Sequence, residues 1–268
     1  MSDLMKNLSA AAENMNEDEI LKILRVMLAQ ETTVEIINST VVTNLLKSNR
    51  TDIIQLSTEV IAEWAKTESN RKMITDEFIV SNLMDLLKNS NVDIVFNAIR
   101  ALGNICYENK EACSLVEKVG ISNILQILRD DDKRKDQLLT TKTSGFLLNL
   151  VNVHDGLCQT ILKNEIMPTL EKLLTKYSKT SDENLMLLTF LLSILNHLLD
   201  YTDDQNISFT EEFCRVVISI FKSSTNPEIS VICLEIFHGQ SEKEEIKSLL
   251  AKEGVCELLF ELIKKIQA

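Results

Sequence analysis

Five polar residues recur at a nearly constant interval, each late in an apolar, helix-like stretch of the chain. They are Glu63, Asn104, Asn149, Asn196 and His238, separated by steps of 41, 45, 47 and 42 residues. A side-chain amide carries both a hydrogen-bond donor and an acceptor, so a row of asparagines can hold the backbone of an extended guest. The same amides can instead bond neighbouring helices and stabilise their packing. We call these five positions the ladder residues, and the sequence leaves both interpretations open.

A second row of side chains follows the ladder residues by four positions. It consists of Thr67, Glu108, Val153, Asp200 and Glu242. Residues four apart share a helix face, so three carboxylates are predicted to lie beside the ladder, and Glu59 and Glu63 add two more. Such an acidic groove attracts Lys- and Arg-rich segments, although Arg100 interrupts it. The alternative is that these acids are the ordinary surface charge of an acidic chain. The predicted partner-binding residues are Glu59, Glu63, Arg100, Asn104, Glu108, Asn149, Asn196, Asp200, His238 and Glu242.

The chain lacks the motifs with which common enzymes bind nucleotides, metals or acyl groups. It contains no G-x-x-x-x-G-K-[ST], no G-x-S-x-G and no H-E-x-x-H. Three scattered histidines leave few candidates for a general base near pH 7. The six cysteines lie far apart, with no C-x-x-C pair and no histidine at zinc spacing. We therefore predict a noncatalytic protein without metal or cofactor, whose cysteines are small buried residues in a reducing compartment.

The interval between the ladder residues indicates which elements position them. A recurrence of about 40–47 residues is typical of HEAT and armadillo arrays, in which each repeat buries a face only against its neighbours. The composition agrees, because 6 Gly and 2 Pro among 268 residues cannot supply the turns of a sheet protein. The apolar residues are mainly aliphatic, which suits short helices that pack by ridges and grooves. We predict an all-α, right-handed α-solenoid of about five armadillo repeats plus a partial C-terminal repeat.

The clearest repeat begins at Asn91. Apolar residues at helical spacing predict a long helix to about Tyr107, a short helix over 109–119, a stop at Gly120 and a medium helix over 121–128. The same order can be found before and after this repeat. We predict one solenoid over 1–268, with an N-terminal cap at 1–30, five repeats at 31–242 and an incomplete repeat at 243–268.

The last two repeats depart from this order. In one of them, a short helix over 210–214 and a medium helix over 216–221 are predicted. The other ends in a medium helix whose apolar stripe has no following long helix to cover it. The stripe consists of Val255, Leu258, Leu259, Leu262 and Ile266. Because an exposed apolar stripe normally marks an interface, we expect either self-association through it or further repeats in a longer form of the protein.

Charge and hydropathy limit the partners of the chain. The net charge is −12, with 40 acidic against 28 basic residues, so a nucleic-acid backbone is repelled and a basic partner is favoured. No run approaches the roughly 18–20 uncharged apolar residues that span a bilayer. Residues 1–12 hold Asp3 and Lys6 and lack the apolar centre of a secretory signal. We expect a cytosolic protein, with organelle membranes reached only through its partner.

Three strings carry a resemblance to a known family: IAEWAK at 61–66, RALGNICY at 100–107 and PTLEKLL at 168–174. They resemble the armadillo repeats of the GDP-dissociation stimulators of small GTPases, the smgGDS and Vimar type. The middle string is the most specific, since Leu-Gly-Asn alone is common in armadillo proteins. The resemblance covers about 51–174 well and the remainder by repeat pattern only.

The resemblance implies a cytosolic regulator and chaperone of Rho- and Rap-like GTPases with polybasic, prenylated tails, which stimulates GDP dissociation in some members. The acidic groove beside the ladder residues would then face the basic tail. Apolar gaps between the long helices near residues 98–105 would admit a lipid. Family members carry further repeats, which puts full exchange activity of this chain in doubt. The alternative is a generic armadillo adaptor that holds a basic peptide segment.

Overall fold

The structure is a computed structural model that describes residues 3–29, 38–179, 181–201 and 209–260. Within these ranges every regular element is a helix and no strand occurs. The prediction of an all-α fold is therefore confirmed. The chain divides into two compact units, Met1–His154 and Asp155–Ala268. The prediction of one continuous solenoid domain stays a prediction, and the two units are described separately.

The first unit contains ten α-helices and one turn of 3₁₀-helix among its described residues. The elements are α1 (Asp3–Glu13), α2 (Glu17–Ala29), α3 (Ser39–Leu46), α4 (Thr51–Trp64), α5 (Glu68–Ile74), α6 (Glu77–Leu86), α7 (Val92–Cys106), α8 (Lys110–Val119), α9 (Ser122–Arg129), the 3₁₀ turn (Lys133–Lys135) and α10 (Gln137–Val153). The long helices α4, α7 and α10 pack in sequence, with α7 in contact with both others. The predicted order of long, short and medium helix is confirmed for α4–α6, whereas in the next repeat α8, with 10 residues, is longer than α9, with 8.

Local signals fix the helix ends around α7 and α8. Asn91 begins α7, because its side-chain oxygen accepts the backbone N–H groups of Asp93 at 2.9 Å and Ile94 at 3.4 Å. At the end of α8, Gly120 has φ 101°, a conformation that costs a residue with a side chain far more than glycine. These two signals are local, which is why the sequence predicts this repeat well.

The described part of the predicted N-terminal cap consists of two helices, α1 and α2. Helix α1 buries Met5 and Leu8, and α2 buries Ile20 and Leu24, in one cluster with residues of α3 and α4. Residues 3–12 lack the apolar centre of a secretory signal, yet they form most of a helix. Their spaced apolar residues face α2 and α3.

The second unit contains six α-helices whose bounds are described in full. They are α11 (Asp155–Lys163), α12 (Met167–Tyr177), α13 (Leu185–Leu199), α14 (Glu211–Ser223), α15 (Pro227–Gln240) and α16 (Glu244–Lys252). Residues 255–260 are also helical. The predicted division into helices 210–214 and 216–221 is wrong, because α14 is continuous. Arg215 offers no break at that point, since arginine is a good helix former and neither Gly nor Pro is near.

The apolar stripe at the C-terminus is only partly described. Val255 is buried, Leu258 and Leu259 are half-buried and Phe260 is exposed, whereas Leu262 and Ile266 lie outside the described residues. Self-association through this stripe stays a prediction. Among the described residues no helix is both long and apolar enough to cross a membrane.

Candidate partner-binding site

Helix α10 leaves a single stripe open to solvent, and the ladder residue Asn149 lies in it. The stripe runs at helical spacing through Leu138, Lys142, Gly145, Asn149 and Asn152, while the residues between them are largely buried. Helices α7 and α4 leave similar stripes that contain Asn104 and Glu63. We call the central part of these three stripes the ladder face of the first unit: it consists of Leu56, Glu59, Glu63, Phe96, Arg100, Asn104, Lys142, Gly145 and Asn149.

Two ladder asparagines bond the helix before their own. Asn104 Nδ2 donates to the backbone oxygen of Ala62 at 2.9 Å, and Asn149 Nδ2 donates to that of Gly103 at 2.9 Å. Both acceptors lie in the last turn of a helix, where carbonyl groups lack an intrahelical donor. The N–H of Lys66 bonds to Glu63 instead of Ala62. The amides thus cap the preceding helix, which agrees with the architectural interpretation of these two residues.

The bond from Asn149 requires close packing of α7 and α10. A Cβ atom added to Gly103 would lie 3.5 Å from Cβ of Phe146, an ordinary contact. Phe146 is 1% exposed and fills the seam between the two helices. At the equivalent point between α4 and α7, Ala62 and Ala101 are both fully buried. Small residues therefore allow the backbone carbonyl to come within reach of the next amide.

Glu63 is paired with two cations, so its charge is not free to attract a basic guest. Arg100 Nη2 donates to Glu63 Oε1 at 2.5 Å, and Lys66 Nζ donates to Glu63 Oε2. Partial burial alone would raise the pKa of the Glu63 carboxyl, but the hydrogen bonds from Lys66 and Arg100 lower it below its ordinary value. Arg100 also bonds Asn97 at 3.0 Å and lies over the ring of Phe96 at 5.8 Å.

The predicted acidic groove placed three carboxylates on the helix faces that carry the ladder residues, and this placement is wrong. Helix α7 ends at Cys106, and Glu108 has left the helix with φ 50°. Asp200 is the capping residue directly after α13, and Glu242 lies two positions after the last residue of α15. Because α7, α13 and α15 end before the fourth residue past their ladder residues, these three acids lie outside the helices that carry the ladder. All three are exposed, and their part in partner binding stays a prediction.

In the second unit the ladder is built differently. Asn196 Nδ2 donates to Glu235 Oε2 at 3.0 Å, so it bonds a side chain of the following long helix. His238 is exposed, and its imidazole donates no hydrogen bond to another described residue. Helices α13 and α15 are in contact. Their open stripes carry Met186 and Val231, each more than half exposed. Beside its two ladder residues, this unit therefore presents apolar side chains and the carboxylate of Glu235, and Asn196 is the one amide of the pair.

The cysteines follow the prediction except for one. Cys106, Cys113, Cys158, Cys214 and Cys233 are buried, whereas Cys256 is exposed. Burial raises the pKa of Cys158 to about 11 and those of Cys214 and Cys233 to about 12, which disfavours the reactive thiolate. No cluster of three or more His, Cys, Asp or Glu side chains in the described part of the chain could hold a metal ion.

Two cavities of about 410 and 420 Å³ lie beside α14 in the second unit, and both are lined by Arg215. Their other lining groups are mostly charged, including Glu211 and Glu253, which are paired with Arg215 itself. No ladder residue lines either cavity. They therefore add nothing to the candidate site.

Sequence reasoning missed Lys142 and Phe96 on the ladder face. Lys142 precedes Asn149 by seven positions and Phe96 precedes Asn104 by eight, which places them near the ladder in helical projection. The predicted site extended no more than four positions from each ladder residue. Continuing the same period backwards along α7 and α10 would have found both.

Comparison with known proteins places the chain in a family. The family model described for the H subunit of the V-ATPase matches residues 4–195. The chain belongs to this armadillo-like family. Among solved structures, a designed armadillo repeat protein, YIII(Dq)4CqI, has a TM-score of 0.71 at 16% identity and covers 88% of this chain and 98% of its own. A chain from a structure of the interaction between cadherin and beta-catenin has a TM-score of 0.77 at 12% identity, over 99% and 49% of the two chains. These likenesses confirm the armadillo α-solenoid.

Curated relatives confirm the resemblance to the GDP-dissociation stimulators. The GTPase-GDP dissociation stimulator vimar of Drosophila melanogaster is 29% identical over 231 residues, covering 82% of this chain and 36% of the relative. The Rap1 GTPase-GDP dissociation stimulator 1-B of Xenopus laevis is 26% identical over 211 residues, covering 77% and 34%. The chain thus spans about a third of the length of the curated relatives that it matches. None of these comparisons indicates an enzyme family.

Proposed function

We propose that the chain is a noncatalytic binding regulator and chaperone of small GTPases that stimulates GDP dissociation. The similarity to vimar, at 29% identity over 82% of the chain, carries this proposal. The two Xenopus relatives are also named as stimulators of GDP dissociation from a GTPase. A regulator of this kind acts by binding a GTPase conformation that holds nucleotide less tightly, and it needs a recognition surface rather than reactive groups.

The ladder face of the first unit supports such a surface. Its side chains belong to three packed helices and are held by bonds between them, such as Arg100 to Glu63 and Asn104 to Ala62. Side chains that are ordered before binding lose less conformational entropy when a partner docks. Phe96 and Arg100 are of residue types that are enriched at protein interfaces. The face is therefore preorganised for a protein partner.

The proposed partners are Rho- or Rap-like GTPases with polybasic, prenylated tails. The net charge of −12 favours their approach through long-range attraction. The apolar residues at 98–105 that were predicted to admit a lipid include Ala98, Leu102 and Ile105, and all three are fully buried. A prenyl group would enter there only if α7 separated from a neighbouring helix, so the lipid would bind with a conformational change.

The test measures binding and nucleotide release with purified Rho- and Rap-like GTPases, each with and without a prenyl group. We expect micromolar or tighter binding by calorimetry and faster release of a fluorescent GDP analogue. Phe96→Ser should weaken binding by about tenfold, as expected for an aromatic group at an interface. Phe78→Ser is the matched control, since Phe78 is exposed on α6 of the same unit, away from the ladder face.

Two outcomes contradict the proposal. The first is the absence of binding to every GTPase tested, while circular dichroism shows the chain folded. The second is that an isolated basic tail peptide binds as tightly as the intact GTPase and competes with it fully. The second outcome would identify the alternative, a generic armadillo adaptor for a basic segment.

A further inference from the structure

Two unpaired charges of opposite sign stand at opposite edges of the ladder face. Glu59 lies on α4, one turn before Glu63, and is half-buried. Lys142 lies on α10, two turns before Asn149, and is exposed. In the described part of the chain, neither side chain makes an ion pair or a side-chain hydrogen bond. Between them, Arg100 on α7 is already engaged with Glu63 and Asn97.

The other charges near this face are compensated or lie at its end. Asp52, at the start of α4, is bonded by Arg50 at 2.6 Å. Asp93 lies in the first turn of α7, where the helix N-terminus favours an anion. Glu63 is paired with two cations, Lys66 and Arg100, so this group carries no negative charge that is free for a guest. The charge offered to a guest across the three helices is therefore negative over α4 and positive over α10.

The separation of the two charges sets the length of a guest that could meet both. Packed helices have axes about 8–10 Å apart, so α4 and α10, which flank α7, are about 16–20 Å apart. An extended chain rises about 3.3 Å per residue. About five or six residues therefore bridge the distance from Glu59 to Lys142.

We infer that the ladder face binds an extended segment of the partner that carries a cation over Glu59 and an anion over Lys142, about six residues apart. This inference rests on the proposed function, in that the face is the partner-binding surface. It makes Glu59 and Lys142 specificity-determining residues. It also replaces the predicted acidic groove with a surface of mixed charge, which selects segments of mixed charge against purely basic ones.

The test uses three end-blocked, fluorescently labelled peptides with the same neutral five-residue centre, so that the two terminal residues lie about six positions apart. One carries Lys at one end and Glu at the other, the second carries Lys at both ends and the third Glu at both. Fluorescence anisotropy at low salt should show that the mixed peptide binds the unmodified chain about two- to fivefold more tightly than either other peptide, the range of exposed ion pairs. Because the blocked mixed peptide can lie in either direction, the result does not depend on chain polarity.

Charge-swapped variants provide the decisive comparison. Lys142→Glu should shift the preference to the dibasic peptide and Glu59→Lys to the diacidic one, and the double variant should restore preference for the mixed peptide. Lys110→Glu is the matched control, because Lys110 on α8, a helix outside the ladder face, is exposed and makes no ion pair with another described residue. It should leave the order of the three peptides unchanged.

Several results would overturn the inference. They are an unchanged peptide order in both single variants, an equal response to Lys110→Glu, or no binding of any peptide to the unmodified chain at millimolar concentration. The GTPase assay separates this failure from failure of the proposed function, since GTPase binding can persist without any charge preference among peptides. Conversely, a charge preference among the peptides without GTPase binding would support the inference about the bound segment and contradict the proposal that the partner is a GTPase.

Discussion

The ladder asparagine bonds differently in the two units. We compare the contact between α7 and α10 in the first unit with the contact between α13 and α15 in the second. In the first, the amide of the later helix reaches back to a backbone carbonyl, Asn149 to Gly103. In the second, the amide of the earlier helix reaches forward to a carboxylate, Asn196 to Glu235. The two ladders look equivalent in sequence, yet their bonds run in opposite directions.

The residues beside the ladder explain the difference. The residue before the ladder position is Ala62 or Gly103 in the first unit, but Leu195, fully buried, in the second. Three positions before the later ladder residue stands Phe146 in the first seam and Glu235 in the second. A leucine side chain is bulkier than that of alanine or glycine beside the backbone carbonyl, and the exposed Glu235 offers the amide of Asn196 an acceptor at 3.0 Å. An asparagine ladder therefore depends on small residues in the neighbouring helix.

The largest expected effect comes from removing the buried ring of Phe146 from the contact between α7 and α10. Phe146→Ala should cost about 3–5 kcal/mol of local stability, because it removes a buried aromatic side chain and leaves a cavity. Hydrogen exchange followed by mass spectrometry, which reports each unit separately, measures the loss. At the equivalent position of the contact between α13 and α15, Glu235→Ala should cost less than about 0.5 kcal/mol. Similar losses at both sites would show that the two seams are packed alike.

Replacing a ladder asparagine should likewise cost more stability in the first unit than in the second. Asn104→Ala leaves the carbonyl of Ala62 without its donor in a half-buried place, at a cost of about 1–3 kcal/mol. Asn196→Ala frees Glu235, which is exposed and can be hydrated instead, so the loss should stay under about 0.5 kcal/mol. Chemical unfolding of the two variants compares them directly. A larger loss for Asn196→Ala would reverse our assignment of the architectural role to the first unit.

A methyl group at Gly103 probes how closely α7 and α10 approach. The added Cβ would meet Phe146 at 3.5 Å, an ordinary contact. Gly103→Ala should therefore stabilise the first unit by about 0.5–1 kcal/mol, because alanine loses less backbone entropy in a helix. Gly239→Ala on α15, where nothing lies within 4 Å of the added atom, is the control for helix propensity alone. Destabilisation confined to Gly103→Ala would mean a tighter seam than the structure shows.

The smallest effect concerns the paired carboxylate of Glu63. Hydrogen bonds from Lys66 and Arg100 lower the pKa of Glu63 from its ordinary 4.5 despite partial burial. A lowered pKa stabilises the fold above the unfolded-state pKa, and this contribution disappears as the pH falls through the folded-state value. Glu63→Gln should therefore cost under about 1 kcal/mol at pH 7, since the pair is partly exposed, and nothing at pH 2.

Urea unfolding at pH 7, 5 and 2 measures this difference. Arg100→Gln should remove part of the same pH-dependent stability, because it deletes one of the two partners. A cost of Glu63→Gln that is equal at all three pH values would assign the effect to packing rather than charge.

The sequence predicts what is encoded locally and misses what depends on the next helix. Helix α7 and the turn at Gly120 follow from an N-cap, a periodic apolar face and a glycine within thirty residues. The partner of Asn196 depends on Leu195 and Glu235, which belong to different helices. The three carboxylates past the ladder were misplaced for a related reason. A helix end shifts by a turn according to its cap, and the i, i+4 rule holds only inside the helix.

The bonds that tie the long helices together span 37, 42, 46 and 39 positions, from Arg100–Glu63, Asn104–Ala62, Asn149–Gly103 and Asn196–Glu235. Each of these spans is close to one repeat. Loops of this length close at a modest and similar entropic cost, so each seam can form or open without waiting for a distant part of the chain. Within the first unit, a disturbance at one seam is consequently felt first by the neighbouring seam. Folding rates should accordingly respond to mutations repeat by repeat, as in a one-dimensional array.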